Sequence, residues 1–375
     1  MADIKVLVVD DSVVIRRMVT NVLSEDPDIT VVGTASNGQI GLEKIELLKP
    51  DLVTLDIEMP VLDGIGTLKA IRKLYPRLPV IMFSTLTEQG ARTTLDALAL
   101  GASDYVTKPA NMGSIPAAME AVREQLVPKI RALTGRRQTP RPVSGQTSSS
   151  ITTPLPAKAA ARVRPPGLIP TPEVLVIGSS TGGPDALLAV IPKLPADFPL
   201  PIAIVQHMPP VFTKMLAQRL DLLSKLEVRE AVNGDVVRRG QVLIAPGDYH
   251  LELRREGMSV KAFLQQGPPE NFCRPAVDVM FRSAAEAYGG RILALIMTGM
   301  GHDGAQGAGV ISGKGGYVLA QDEQSSVVWG MPGAVSDAGF ADEVLPLTEI
   351  VAGVLRNSSS VIRFHPAQPK SEVTR

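Results

Sequence analysis

Three strand-forming runs early in this chain end on residues that carry chemistry. IKVLVV runs into Asp10 and Asp11, DLVTL runs into Asp56, and DYVT runs into Lys108-Pro109. Runs as apolar as the first two suit strands buried on both faces of a parallel sheet. After the first run Ile15, Met18, Val19 and Val22 recur at helical spacing, with Arg16 and Arg17 on the other face. Strands alternating with helices predict an open α/β sheet, and such sheets bind ligands at the carboxyl ends of their strands. Carboxylates crowded at that edge repel one another unless a cation or a charge-handling reaction offsets them.

At 375 residues the chain can build two substantial cores. Lysine plus arginine and aspartate plus glutamate both number 38, so no net charge steers it to nucleic acid or anionic lipid. A transcription factor would need a basic helix-turn-helix output domain, which this pattern does not offer. One cysteine, Cys273, cannot form an internal disulfide and suits a reducing compartment. MADIKVLVVDD enters a strand at once, leaving no room for a signal peptide, and no apolar run approaches the roughly 20 residues of a membrane span. The expectation is a cytoplasmic protein without membrane insertion.

From Gln125 to Pro172 there is no acidic residue, and from Gly135 on the stretch is rich in proline, serine and basic side chains. Such a stretch predicts a linker. The expected boundaries are therefore a first domain over residues 1–123, a linker over 124–171, a second domain over 172–357 and a frayed tail over 358–375. In the second domain strand and helix patterns alternate again, with a strand-rich middle. This predicts a three-layer α/β domain with a mainly parallel sheet and an antiparallel excursion.

Three segments of that domain could carry chemistry. GSSTGGP at 178–184 breaks a strand into a glycine turn that opens a helix. There a serine is lifted above the sheet edge, and Ser180 is the candidate nucleophile. A phosphate loop is the alternative, although the spacing is neither GxGxxG nor GxxxxGKS. QHMPP puts His207 at the end of the next strand, as a base or as a structural hydrogen-bonder. MTGMGHDG puts Asp303 at a third strand end, where it either caps the next helix or orients a histidine. Ser–His–Asp chemistry needs that convergence, because the base must reach both hydroxyl and carboxylate. The chain order matches none of the familiar triads, but geometry defines a triad.

Residues 1 to about 123 resemble the receiver domain of a two-component response regulator, with a flavodoxin-like fold. The resemblance rests on Asp10-Asp11, Asp56, Ser84, Tyr105 and Lys108-Pro109. It implies that Asp56 takes a phosphoryl group from a chemotaxis histidine kinase. It also implies that Asp10, Asp11, Asp56 and the Glu58 carbonyl hold Mg²⁺, that Lys108 pairs with the phosphoryl group, and that Ser84 and Tyr105 respond to it. Residues 172 to 357 resemble the catalytic domain of the chemotaxis protein-glutamate methylesterases, through SSTGGP, QHMPP, RPAVDVMF, TGMGHDG and WGMPG. That resemblance implies a serine esterase with Ser180 as nucleophile, His207 as base, Asp303 as its orienter and the Met300 N–H as oxyanion donor. It further implies a monomer that needs no cofactor for hydrolysis and acts on methylated chemoreceptor cytoplasmic helices, with glutamine deamidation as a second activity. Ser179 stands where the family often has alanine, and alternation along a strand turns its side chain away from that of Ser180. His302, beside Asp303, reads as surface decoration. A non-catalytic, phosphorylation-dependent receptor-binding adaptor is the alternative function.

Overall fold

The computed structural model describes residues 3–109, 114–135 and 170–358. The chain builds two α/β units, each on its own parallel sheet. The first is built from β1 (Ile4–Val9), α1 (Val13–Ser24), β2 (Ile29–Ala35), α2 (Gly38–Leu48), β3 (Leu52–Asp56), α3 (Gly64–Leu74), β4 (Val80–Ser84), α4 (Glu88–Ala99), β5 (Asp104–Thr107) and α5 (Ile115–Leu133). Its strands pair in parallel in the order β2-β1-β3-β4-β5. This is the expected flavodoxin-like arrangement, with the change of direction at the β1/β3 edge. Val6, Leu7, Val8, Leu52, Val53, Leu55, Ile81 and Met82 are almost wholly buried, as the apolar runs require. Ser12, Asn37, Asp63, Thr87 and Ser114 each accept a backbone N–H in the first turn of α1 to α5. A cap of this kind contributes about 1 kcal/mol and fixes where each strand-to-helix loop ends.

The expected boundary at 123 falls inside α5, which continues to Leu133. The absence of acids from Gln125 onward predicts a linker here, but Val122, Leu126 and Ile130 sit at helical spacing and are buried against α1. Arg131 also reaches Asp26, at 2.8 Å. Tertiary packing overrides the local signal here. Most of the expected linker and nearly all of the tail lie outside the described residues.

The second unit is built from β6 (Val174–Ser179), α6 (Gly183–Val190), β7 (Ile202–Gln206), α7 (Phe212–Leu223), β8 (Glu227–Glu230), β9 (Gln241–Ile244), β10 (His250–Glu256), β11 (Ser259–Gln265), α8 (Val277–Tyr288), β12 (Ile292–Ile296), α9 (Ala305–Gly313), β13 (Tyr317–Gln321), α10 (Met331–Asp337), β14 (Glu343–Leu345) and α11 (Leu347–Ser358). Seven strands pair in parallel in the order β14-β13-β12-β6-β7-β9-β8. The antiparallel excursion is the β10–β11 hairpin, a separate two-stranded sheet. Helix α8 packs on the sheet through Val277, Met280, Phe281 and Ala284. A Cβ on Gly178 would stand 2.5 Å from Val277 Cγ1, so glycine is what lets the end of β6 meet the start of α8. The sheet runs outward in opposite directions from the β6/β12 edge, which places a second switch point there. Among the described residues, no helix is long and apolar enough to cross a membrane.

Candidate active site

In the first unit the strand ends bring Asp10, Asp11 and Asp56 together, with one carboxylate oxygen from each within 4.8 Å of the others. Lys108 Nζ lies 2.7 Å from Asp56 Oδ2 and 3.2 Å from Asp10 Oδ2. Burial pushes Asp56 up to about 6, against the pull of Lys108 and with the Asp10 charge adding to the rise. Asp10 is raised by burial as well. Lys108 is also raised, because the two carboxylates outweigh its own burial. Three hard oxygen donors under this strain, Asp11 exposed and the other two buried, fit a small divalent cation. Ser84 is buried at the end of β4; its hydroxyl accepts from Thr94 Oγ1 at 2.7 Å and donates to the Gly90 carbonyl at 3.2 Å. Tyr105 is buried in β5, and Glu58 lies exposed just beyond β3.

In the second unit Ser180, His207 and Asp303 stand beyond the carboxyl ends of β6, β7 and β12, three neighbouring strands at the switch point. Backbone bonds pin these loops together. Ser180 N–H donates to the Thr298 carbonyl at 3.0 Å, and His207 N–H donates to the Ser179 carbonyl at 3.1 Å. Asp303 Oδ2 lies 2.8 Å from His207 Nε2. The other ring nitrogen, Nδ1, faces Cys273 Sγ at 3.5 Å, and no hydrogen bond joins it to the Ser180 hydroxyl. Ser180 is half-buried, whereas Ser179 is fully buried and donates to Gln206 Oε1 at 2.7 Å. Gln206 Nε2 in turn holds the Ser180 carbonyl at 2.9 Å. The Met300 N–H meets no acceptor among the described residues. His302 is exposed, and His250 is buried between the Pro268 carbonyl and the Ala276 N–H.

Beyond His207, Asp303 meets the first turn of a helix, and that helix is α8 and not the one that follows it in the chain. Its carboxylate accepts from Val277 N–H at 2.6 Å and Asp278 N–H at 3.0 Å, at the start of α8. It also accepts from Asn271 Nδ2 and Gly304 N–H, each at 3.0 Å. Burial alone would raise this acid, yet the His207 hydrogen bond and charge, with the two α8 N–H groups, hold it down at about 2. Asp278, buried and beside that charge, is pushed up to about 7. Burial works against a charged His207 ring, but the Cys273 sulfur and Asp303 outweigh it and push the ring up.

Sequence reasoning missed Asn271, Cys273 and Asp278 in this network. Asp278 lies within RPAVDVMF, a segment that carries the family resemblance. The other two sit on a tight turn from Glu270 to Cys273, closed by reciprocal backbone bonds of 3.0 and 2.8 Å. Its central residues, Asn271 at φ 51° and Phe272 at φ 63°, are left-handed. Asparagine tolerates that region, whereas phenylalanine rarely adopts it. WGMPG also finds its place: Gly330 and Met331 N–H groups donate to the Gly299 carbonyl at 3.0 and 2.8 Å, bracing the loop that leads to Asp303.

Residues 6–120 match the response regulator receiver domain model, and residues 175–354 match the CheB methylesterase model. A protein-glutamate methylesterase/protein-glutamine glutaminase from a Nocardioides species is 55% identical over 357 residues, 95% of this chain and 96% of the relative. The chain belongs to the protein-glutamate methylesterase family. A family member of the same name from Trichodesmium erythraeum is 50% identical over 95% of this chain and 99% of its own. The crystal structure of the Thermotoga maritima CheB methylesterase catalytic domain is 49% identical and covers 49% of this chain and 98% of its own, with a TM-score of 0.49. Membership implies a phosphodonor kinase for the receiver and a receptor substrate for the methylesterase domain.

Proposed function

We propose that this chain is a phosphorylation-activated serine esterase that hydrolyses glutamate γ-methyl esters on chemoreceptor cytoplasmic helices. Release of methanol in this way would serve chemotactic adaptation. The observation that carries the reading is the convergence of Ser180, His207 and Asp303 at three adjacent strand ends, with His207 and Asp303 2.8 Å apart. Ser180 Oγ attacks the ester carbonyl and gives its proton to His207 Nδ1, the ring nitrogen that Asp303 leaves open. Asp303 holds the tautomer and stabilises the imidazolium as it forms. The carbonyl oxygen, now negative, takes the Met300 N–H, and His207 returns the proton to departing methanol. Water then releases the glutamate side chain by the same steps in reverse. A glutamine amide passes through the same intermediate with ammonia leaving, so one site serves deamidation too. Hydrolysis requires no cofactor.

In the receiver, Asp56 accepts the phosphoryl group from the chemotaxis histidine kinase. Asp10, Asp11, Asp56 and the Glu58 carbonyl would hold Mg²⁺, which supplies charge neutralisation for the phosphate oxygens. Lys108 pairs with the phosphoryl oxygens, and Ser84 and Tyr105 respond to it. The working protein is a cytoplasmic monomer, with a receiver that ends with α5 and a catalytic domain over 172–357. The adaptor alternative has no structural observation in its favour, since it leaves the Asp303–His207 pair without a purpose.

Asp56→Asn is expected to keep basal methanol release and lose the rise that Mg²⁺ and a small phosphodonor produce in the wild type. An undiminished rise in the mutant would remove Asp56 from the scheme. A second expectation follows from Gly299. A Cβ there would come 2.9 Å from Ser180 Cβ and press on Met331 Sδ. Gly299→Ala should therefore displace the nucleophile and lower turnover by about 10², while phosphorylation at Asp56 proceeds normally. Unchanged methanol release would show that Ser180 is not held against this loop.

A further inference from the structure

We propose that His207 Nδ1 and Cys273 Sγ form a binding site for a thiophilic divalent cation such as Zn²⁺, and that its occupancy switches off the esterase. The inhibitory half rests on the reading of His207 as the base.

A tetrahedral zinc with bonds of about 2.0–2.1 Å to nitrogen and 2.3 Å to sulfur spans about 3.5 Å between the two donors. Nδ1 and Sγ stand 3.5 Å apart. Histidines that ligate metal generally donate their other ring N–H to a carboxylate, which fixes ring orientation and tautomer. His207 meets that condition, with Nε2 2.8 Å from Asp303 Oδ2 and Asp303 itself held by four further N–H donors. The sulfur is equally well positioned. Its turn is tied down by Asn271 Nδ2 on Asp278 and Asp303, and by two 2.6 Å bonds from Arg282 to Glu270. Cys273 is half-buried, so water can complete the coordination.

Soft and hard sites are thereby separated in one chain. A thiolate–imidazole pair selects zinc or cobalt, whereas the all-oxygen cluster of Asp10, Asp11 and Asp56 suits Mg²⁺. A metal takes the thiolate and the neutral ring, so binding displaces to solvent whatever protons Sγ and Nδ1 hold and ties up the lone pair that His207 needs to take a proton from Ser180.

The test is a Co²⁺ titration of the reduced full-length protein in excess Mg²⁺, reading the thiolate-to-cobalt absorption in the near ultraviolet. The chain has one cysteine, so any such band reports Cys273. The expected result is a band saturating at one cobalt per chain. Cys273→Ser and wild type with its thiol alkylated should both lack it, and Asp56→Asn should retain it. Asp303→Asn should weaken binding about 10–100-fold. Zn²⁺ should inhibit methanol release by the wild type and lose that effect in Cys273→Ser, each measured against the same protein without zinc. Absence of the band in wild type, or equal cobalt affinity in Cys273→Ser, overturns the site. A saturating band with methanol release unchanged supports the site and overturns His207 as the base.

Discussion

Ser180→Ala is expected to lower methanol release by up to about 10⁶ while leaving the fold intact. The reason is local: Ser180 stands half-buried at the β6-to-α6 turn, and its hydroxyl bonds to no described residue, so removing it disturbs no packing. Ser179→Ala should behave in the opposite way. Its hydroxyl is fully buried on Gln206 Oε1, and losing it strands that acceptor at about 1–3 kcal/mol of stability. Thermal unfolding and methanol release on the two variants separate these effects. Normal turnover in Ser180→Ala, with Ser179→Ala inactive, would move the nucleophile by one residue.

His207→Gln is expected to be about as inactive as Ser180→Ala, because among the described residues no other histidine is hydrogen-bonded to Asp303. The wild-type rate should rise with pH as the ring loses its proton. Burial favours the neutral ring, but the Cys273 sulfur and Asp303 outweigh it, so that rise lies above the usual histidine range. Asp303→Asn should lose less activity, about 10⁴ against about 10⁶, but more stability. An amide cannot accept all five hydrogen bonds that the carboxylate takes, and two of those come from the first turn of α8. The sign follows from linkage. Asp303 is held at about 2, below its ordinary value of 3.8, so its contribution is complete above the ordinary value and is lost as pH falls toward 2. Wild type should therefore lose stability over that acid range more steeply than Asp303→Asn. If His302→Ala proves more damaging than His207→Gln, the wrong histidine has been assigned.

Much of this was legible because the chemistry sits at strand ends. Asp10, Asp56, Ser84, Ser180 and His207 each follow or close an apolar run, and a parallel sheet gathers such residues on one edge whatever the loops do. What was not legible depends on contacts between distant segments. The helical pattern of Val122, Leu126 and Ile130 competed with an acid-free, proline-containing stretch, and only packing against α1 decides for helix. Asp303 reads from spacing as an orienter of a histidine or a cap for the helix that follows it, and nothing local shows that it takes the N–H groups at the start of α8, 26 and 25 residues earlier. Helix α9 is rich in glycine and poor in helix propensity, but Gly307 is what lets it approach Phe281 of α8. Cys273 gave no signal beyond its solitude. Its place against His207 comes from a left-handed turn at Asn271 and Phe272 that no spacing rule anticipates.

The most direct measurement is methanol release from receptor membranes carrying labelled glutamate methyl esters, using the full-length wild-type protein with Mg²⁺, with and without a small phosphodonor. The expected result is catalytic release of labelled methanol that rises when the phosphodonor is added. Receptor binding without methanol release in either condition would contradict the esterase reading and leave a phosphorylation-dependent adaptor in its place.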